Sequence, residues 1–263
     1  MKLISKISIV TISFNQAKYL RQCIDSVLLQ DYPNFEYIIV DPGSTDGSRE
    51  IIESYGERVI KVFEKDNGPA DGLNKGFGLA TGDIFYFVNS DDFVLPGAFL
   101  FAATEFTKNS DLDVLLGAGI EVNAHGALKR KFYPSSVSTK SYVNGAVTFF
   151  QQGMFFKSHA FRQVSGFNKL NKTCWDGELL LSFLLKRLRF KRSMKPFGAF
   201  RIYPESITGS QRFSNQFELD KNRMYKIVYG SESNPNKFIE LWFRFIKLIF
   251  DPRYAFMRIF KAK

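Results

Sequence analysis

Four short apolar runs open the chain, KISIVTIS (6–13), FEYIIVD (35–41), VIKVFEK (59–65) and DIFYFVN (83–89). Each is dense in β-branched and aromatic residues, the signature of a buried strand. Between them the apolar positions change to a helical period, over about residues 16–30, 48–55 and 70–80. Near-continuous apolar strands alternating with helices predict an α/β fold, a mostly parallel sheet with helices on both faces. In such sheets ligands bind beyond the carboxyl ends of the strands. Three polar segments stand at those ends, SFN after the first strand, DPGSTDGS after the second and NSDD after the fourth. They are expected to converge on one crevice.

The second half is less regular. DVLLGAGIEV (113–122), LKRKFY (128–133) and GMFFKS (153–158) read as strands, and residues 176–186 and 216–229 as helices. No internal repeat or linker interrupts the pattern, so residues 1–230 are expected to form one domain, with residues 1–100 as its ligand-binding half and 101–230 as its second half. Residues 231–263 follow as a C-terminal segment. There Lys237, Glu240, Arg244, Lys247 and Asp251 recur every three or four residues on a helix otherwise covered by Phe, Trp, Ile and Leu, until Asp251-Pro252 breaks it.

Composition narrows this picture. No apolar stretch reaches the ~18 residues of a membrane span, and the start, MKLISKISIV, reads as a first strand and not as a cleaved leader. Cys23 and Cys174 stand far apart, which argues against a disulfide framework or a zinc site and suits a reducing cytoplasm. His125 and His159 lie in no ligand spacing and read as structural or surface residues. The net charge of +10 is partly gathered in Lys186, Arg187, Arg189, Lys191, Arg192 and Lys195, a cationic surface that suits nucleic acid, an anionic membrane or a phosphorylated substrate.

The candidate chemistry begins with Asp91 and Asp92. Two adjacent carboxylates at the end of a buried strand repel each other and call for a cation. Mg²⁺ takes oxygen ligands at about 2.0–2.1 Å, commonly one or two carboxylates completed by water and phosphate; the plainer alternative is that Ser90 or Asp92 caps a helix starting near Pro96. Asp41, at the end of the second strand, can accept hydrogen bonds from a ribose hydroxyl or a base, although turns of this composition join many strands to helices. Asp71, Asn74 and Lys75 share one helical face and can bridge a ribose or phosphate to the acidic turn. The glycines of GFGLATG precede a strand and so do not make a dinucleotide fingerprint.

Taken in order, TISFNQAKYLRQCIDSVLLQ, IIVDPGSTDGS, NGPADGLNKGFGLATGD and FVNSDD resemble the nucleotide-binding half of family 2 glycosyltransferases, which have the GT-A fold. The resemblance covers residues 6–100. It implies that NSDD stands at the family's DxD-type metal motif with Asn89 in place of the first acid, Asp91 as the metal contact and Asp92 as a contact to metal or sugar. It implies a donor nucleotide site of Thr11, Ser13, Asn15, Asp41, Asp71, Asn74, Lys75 and Ser90; Pro42 departs from the family's usual Asp, Gly or Asn. In FQQGMFFKSHAFRQVSGFNKLNKTCWDGELLLSF (150–183) the resemblance implies that Asp176 is the general base. Glu178 is its substitute, Gln152 and Trp175 lie near the acceptor, and the alternative is that Asp176 only caps its helix.

The implied activity is inverting, Mg²⁺- or Mn²⁺-dependent transfer of a hexosyl or N-acetylhexosaminyl group. The donor is a nucleotide-diphosphate sugar, UDP-linked by preference, and the acceptor a hydroxyl of a glycan or lipid-linked oligosaccharide in surface polysaccharide synthesis. The aromatic, basic C-terminal helix suits peripheral contact with the inner face of the cell membrane; packing on its own domain is the alternative. Two rivals are a sugar-nucleotide pyrophosphorylase, whose glycine-rich loop after the first strand is missing from TISFNQAKYL, and a non-catalytic glycan or nucleic-acid binder, for which no RNA-binding motif appears.

Overall fold

A computed structural model describes residues 5–210, 212–231, 237–252 and 254–256. The first half alternates as the pattern predicts: β1 (Ile7–Ile12), α1 (Ala17–Leu28), β2 (Phe35–Val40), α2 (Ser48–Glu53), β3 (Ile60–Val62), α3 (Pro69–Leu79) and β4 (Ile84–Phe87). There follow β5 (Phe93–Val94), α4 (Ala98–Lys108), β6 (Val114–Val122), β7 (Leu128–Phe132), α5 (Thr139–Val143), β8 (Met154–Lys157), α6 (Ser158–Gln163) and α7 (Trp175–Leu185). The remainder is β9 (Phe190–Arg201), α8 (Ile207–Ser210), α9 (Ser214–Tyr229) and α10 (Lys237–Phe250).

One sheet runs through both halves in the order β3-β2-β1-β4-β8-β6-β9-β5, with β7 paired to β6. Strands β3, β2, β1 and β4 are parallel. Beyond β4 the sheet is mixed: β8 is antiparallel to β4 and β6, while β6 and β9 are parallel. In register, Ile12 lies opposite Val40 and Val10 opposite Phe87, so the loops after β1, β2 and β4 leave at one edge.

Side-chain alternation divides the core in two. Ile84, Tyr86 and Phe155 point to the α1 and α4 side, with Leu20, Ile24, Phe99 and Phe106. Phe85, Phe87 and Phe156 point to the side of α3, α6 and α7. Much of the phenylalanine content gathers there: the Phe77 ring lies within 6.5 Å of the ring centroids of Phe85, Phe87, Phe156, Phe161 and Phe167. Cys23 and Cys174 are free and buried; His125 is exposed in the β6–β7 turn, and His159 is partly exposed beside Asp113.

The basic run differs from the reading as one cationic surface. It is largely the start of β9, a strand the charges conceal. Lys191 pairs with Glu105 at 2.6 Å, Arg192 with Asp251, and Lys195 donates to the Gly97 carbonyl at 3.1 Å with its ammonium over the Phe101 ring. These cations splice neighbouring elements to the strand. The C-terminal helix forms where its pattern predicts and ends before Asp251-Pro252. The basic residues of 257–263 lie outside the described residues.

Candidate active site

A cavity of about 790 Å³ opens at the strand edge, within the range usual for small-molecule sites. Its first wall comes from the three polar loops and the start of α3, including Ser13, Gln16, Pro42, Asp66, Ser90 and Asp91. The second half adds Phe132, Phe149, Phe150, Phe200, Trp175 and Asp176 to the lining. Phe150 reaches the cavity because residue 119 is glycine; a Cβ there would lie 1.9 Å from the ring. Lys65 and Arg212 add cations to the lining.

The loops after β1 and β2 hold each other. Asn15, in the left-handed region at φ 51°, accepts from the Thr45 amide at 2.9 Å and donates its own amide to Ser44 Oγ at 2.8 Å. Asp46 and Ser48 receive the amides of Ala17 and Gln16 and so fix the entrance to α1, while Asp46 also accepts from the Ser48 amide at the start of α2. Asp41 is buried and fully engaged. It accepts from the amides of Gly43 and Ser44 at 2.9 and 2.8 Å, from Ser44 Oγ at 2.6 Å and from Arg49 Nε at 3.2 Å.

At the NSDD turn the two carboxylates part. Asp91 lines the cavity and accepts a hydrogen bond from the Tyr203 hydroxyl at 3.0 Å. Asp92 turns inward, 1% exposed, where it accepts from Gln152 Nε2 and from the Arg201 amide at 2.8 Å. Burial pushes both carboxyls above their ordinary range, and Asp91's charge raises Asp92 further; Tyr203 and Arg201 oppose the rise at Asp91. The nearest resident cation is Arg201, wholly buried at the end of β9. Its guanidinium donates to the carbonyls of Asp91, Asn123 and Ala124 and to Gln22 Oε1, and lies over the Tyr19 ring. It braces the turn from behind without forming a direct ion pair with either carboxylate.

The first turn of α7 repeats the division. Asp176 lines the cavity, and burial pushes its carboxyl up to about 6, against the pull of the Gly177 amide. Glu178, two residues on, does not line it. It accepts from Asn168 Nδ2 at 2.7 Å and Asn171 Nδ2 at 2.6 Å and pairs with Arg223 at 2.6 Å. Gly177 permits this turn: a Cβ would sit 1.8 Å from the Tyr142 hydroxyl.

The remaining sequence-derived positions fall outside the cavity. Thr11 is buried in the core on Tyr37, at 2.9 Å. Asp71 accepts from the Asn67 amide and pairs with Lys169 at 2.8 Å, which holds its carboxyl below the usual range. Asn74 exchanges two hydrogen bonds with the Phe167 backbone, and Lys75 is turned to Glu64 and the Lys65 carbonyl. These three tether α3 to neighbouring loops. Asp66, Tyr203, Arg201, Lys65 and Arg212 were not singled out from the sequence. Asp66 immediately precedes the glycine-rich segment, and in the fold it lines the cavity while accepting from the Gly68 amide at 2.9 Å.

Four polar side-chain atoms in the cavity lining are buried without a partner: Ser13 Oγ, Asn89 Oδ1, Gln151 Nε2 and Trp175 Nε1. Unpaired buried groups are costly, so this wall is suited to a polar ligand. Among the described residues no three His, Cys, Asp or Glu side chains gather as a metal cage. Asp91 and the unpaired Asn89 oxygen nevertheless offer hard oxygen donors beside the cavity, the minimal protein share for a cation completed by phosphate and water.

Comparison with known proteins gives the class to which this sheet and crevice belong. The model of the Glycosyl transferase family 2 matches residues 8–171, and the chain belongs to that family. An uncharacterised glycosyltransferase of Rickettsia felis is 27% identical over 223 residues, covering 81% of this chain and 36% of that protein. The chain spans about a third of the length of the curated relatives it matches. Residues 1–349 of S. aureus TarS, solved in complex with UDP-GlcNAc, superpose with a TM-score of 0.66 at 20% identity, covering 97% of this chain and 76% of that one. A Pyrobaculum calidifontis mannosyltransferase, PcManGT, in complex with GDP-Man and Mn²⁺, gives 0.64 at 15% identity, covering 97% and 74%. The fold is of the GT-A type.

Proposed function

We propose that this chain transfers a hexosyl or N-acetylhexosaminyl group from a nucleotide-diphosphate sugar, UDP-linked by preference, to a hydroxyl of a glycan or lipid-linked oligosaccharide, inverting the anomeric configuration. The observation that carries the reading is that Asp91 and Asp176 line one cavity while their neighbours, Asp92 and Glu178, are locked in hydrogen bonds. Family membership favours transfer over a pyrophosphorylase or a binding module, and the nucleotide-sugar complexes of TarS and PcManGT support the donor class.

In this reading the donor lies along the β1–β2–β4 edge. A base that reaches Asp41 replaces one of its side-chain partners, the Ser44 hydroxyl or the Arg49 guanidinium. Lys65 and Arg212 offset phosphate charge, and the unpaired Ser13, Gln151 and Trp175 groups take polar atoms of the sugar. Asp91, with Asn89, would hold Mg²⁺ or Mn²⁺; such an ion supplies positive charge to the departing diphosphate. Asp176, ionised at neutral pH, removes the proton from the acceptor hydroxyl as that oxygen attacks the anomeric carbon from the face opposite the diphosphate. The aromatic wall of Phe149, Phe150 and Phe200 gives the acceptor flat apolar surface to stack on. A place at the inner face of the cell membrane, in surface polysaccharide synthesis, belongs to the same reading.

The test is a panel of nucleotide-sugars assayed for nucleotide release with Mg²⁺, with Mn²⁺ and with chelator. Release from one donor that chelator abolishes is expected. Release from none, or release indifferent to chelator, overturns the metal-dependent reading.

A further inference from the structure

Helix α10 is mounted the wrong way round for a helix of a water-soluble protein. Its polar residues face the domain: Glu240 approaches Gly145, Lys247 donates to Thr148 Oγ1 at 3.3 Å, and Asp251, just past the helix, accepts from the Ser136 amide at 2.6 Å and pairs with Arg192. The opposite face is apolar and points outward. Leu241, Trp242, Phe245, Leu248 and Ile249 are all exposed, Trp242 at 61% and Phe245 at 57%. A surface helix buries its apolar stripe, so a row of this kind marks an interaction surface.

The shape and charge around it select the occupant. The exposed row follows a single convex helix of 14 residues, about 21 Å long and too short to cross a bilayer core of about 30 Å. Among the described residues no helix is long and apolar enough to span. The elements that carry α10 also carry exposed cations: Lys140 on α5, which ends two residues before Gly145, and Lys129 and Lys131 on β7, which precedes the segment of Ser136. Arg244, on α10 itself and more than half exposed, pairs with Glu240. An apolar helix face carried on elements with exposed lysines complements a flat anionic lipid surface. The seat also adjoins the cavity: Thr148, which meets Lys247 and Tyr254, is followed directly by Phe149 and Phe150 of the aromatic wall.

We propose that the outward face of α10, Leu241, Trp242, Phe245 and Ile249, seats the protein in the interface of an anionic phospholipid bilayer, beside the acceptor wall of the cavity. This deepens the membrane placement of the proposed function by naming the contacting surface and the lipid charge, and it is tested with no donor present.

The full chain is floated with vesicles of pure phosphatidylcholine and with vesicles containing phosphatidylglycerol. Flotation with the anionic vesicles is expected, with a blue shift of tryptophan emission. Trp175 is already buried, so the shift reports Trp242, and Trp242→Phe should bind without it. Trp242→Glu with Phe245→Glu should weaken vesicle binding roughly tenfold or more, and the thermal midpoint should hold because both side chains are exposed. Absence of flotation with anionic vesicles overturns the proposal, as does flotation unchanged in the double variant. So does a dimer in sedimentation that the double variant dissolves while vesicles are ignored. Nucleotide release, measured separately, fails or succeeds independently and tests the transferase reading alone.

Discussion

Two carboxylate pairs each give one member to the cavity lining, and they are built alike and charged differently. In each pair one member looks into the cavity, Asp91 or Asp176, and the other is held inside, Asp92 or Glu178. Glu178 has a guanidinium at 2.6 Å and two amide donors. Asp92 has an amide side chain and a backbone N–H, while the guanidinium of Arg201 is committed to carbonyls and Gln22. Charge is thus balanced locally at the start of α7, where Asp176 is left as a single carboxyl poised to take a proton. At the NSDD turn burial raises both acids and Asp91's charge raises Asp92 further, and negative charge there is left to be met from the cavity. In the proposed reading the same residue type serves as a proton acceptor in one place and as a cation-seeking group in the other because of what holds its neighbour.

That contrast can be broken in steps. The largest effect is expected from Asp176→Asn, which removes the proposed proton acceptor and should slow transfer by roughly 10³-fold. Its thermal midpoint should stay level or rise, because the wild-type carboxylate is ionised at neutral pH only against the cost of burial. A variant retaining more than a tenth of wild-type turnover would remove Asp176 from the base role. Asp91→Asn should come next, at about 10²-fold in turnover, together with loss of the response to added Mn²⁺. If the response to metal persists, the cation sits elsewhere.

Glu178→Gln should do the opposite of Asp176→Asn, lowering stability by about 1–3 kcal/mol because Arg223, still paired with Asp220, loses its second carboxylate, and changing turnover little. The low end of that range applies if solvent at the partly exposed Arg223 screens the pair. Chemical denaturation set beside an activity assay separates the two variants. The smallest effect is in pH. With Asp176 near 6, turnover should be flat at neutral pH and fall about tenfold per unit well below 6 as the base becomes protonated. Stability should move the other way over the same window. The folded carboxyl is raised above its unfolded value, so the native state binds more protons, and Asp176's destabilising share is relieved as pH falls through 6.

The first half of the molecule was legible in its sequence because every signal there is local. Apolar runs and helical spacing set β1 through β4, and the polar loops fall at strand ends whose register the parallel pairing makes level. Asp91 and Asp176 were legible for the same reason, since each lies at the end of a predicted element and inside a motif. The strand β9 was not. Its cations belong to partners distant in sequence, Glu105 and Asp251, and a run of charges gives no sign that each is answered. Arg201 and Tyr203, which brace and bond the NSDD turn, lie about 110 residues beyond it, and no periodicity links them to it. Thr11, Asp71, Asn74 and Lys75 show the converse case: they lie within the quoted motifs, yet the fold turns them to the core or to neighbouring loops.

The sequence by itself determined the parallel half of the sheet, the edge at which ligands gather and the identity of the acids there, because hydrophobic periodicity and turn chemistry act over a few residues. Only the tertiary structure decided which acid of each pair is free, which cation stands behind the turn and which way α10 faces. Those are questions of burial and partnership. The energies that answer them come from groups brought together across the sheet, and spacing along the chain carries no record of them.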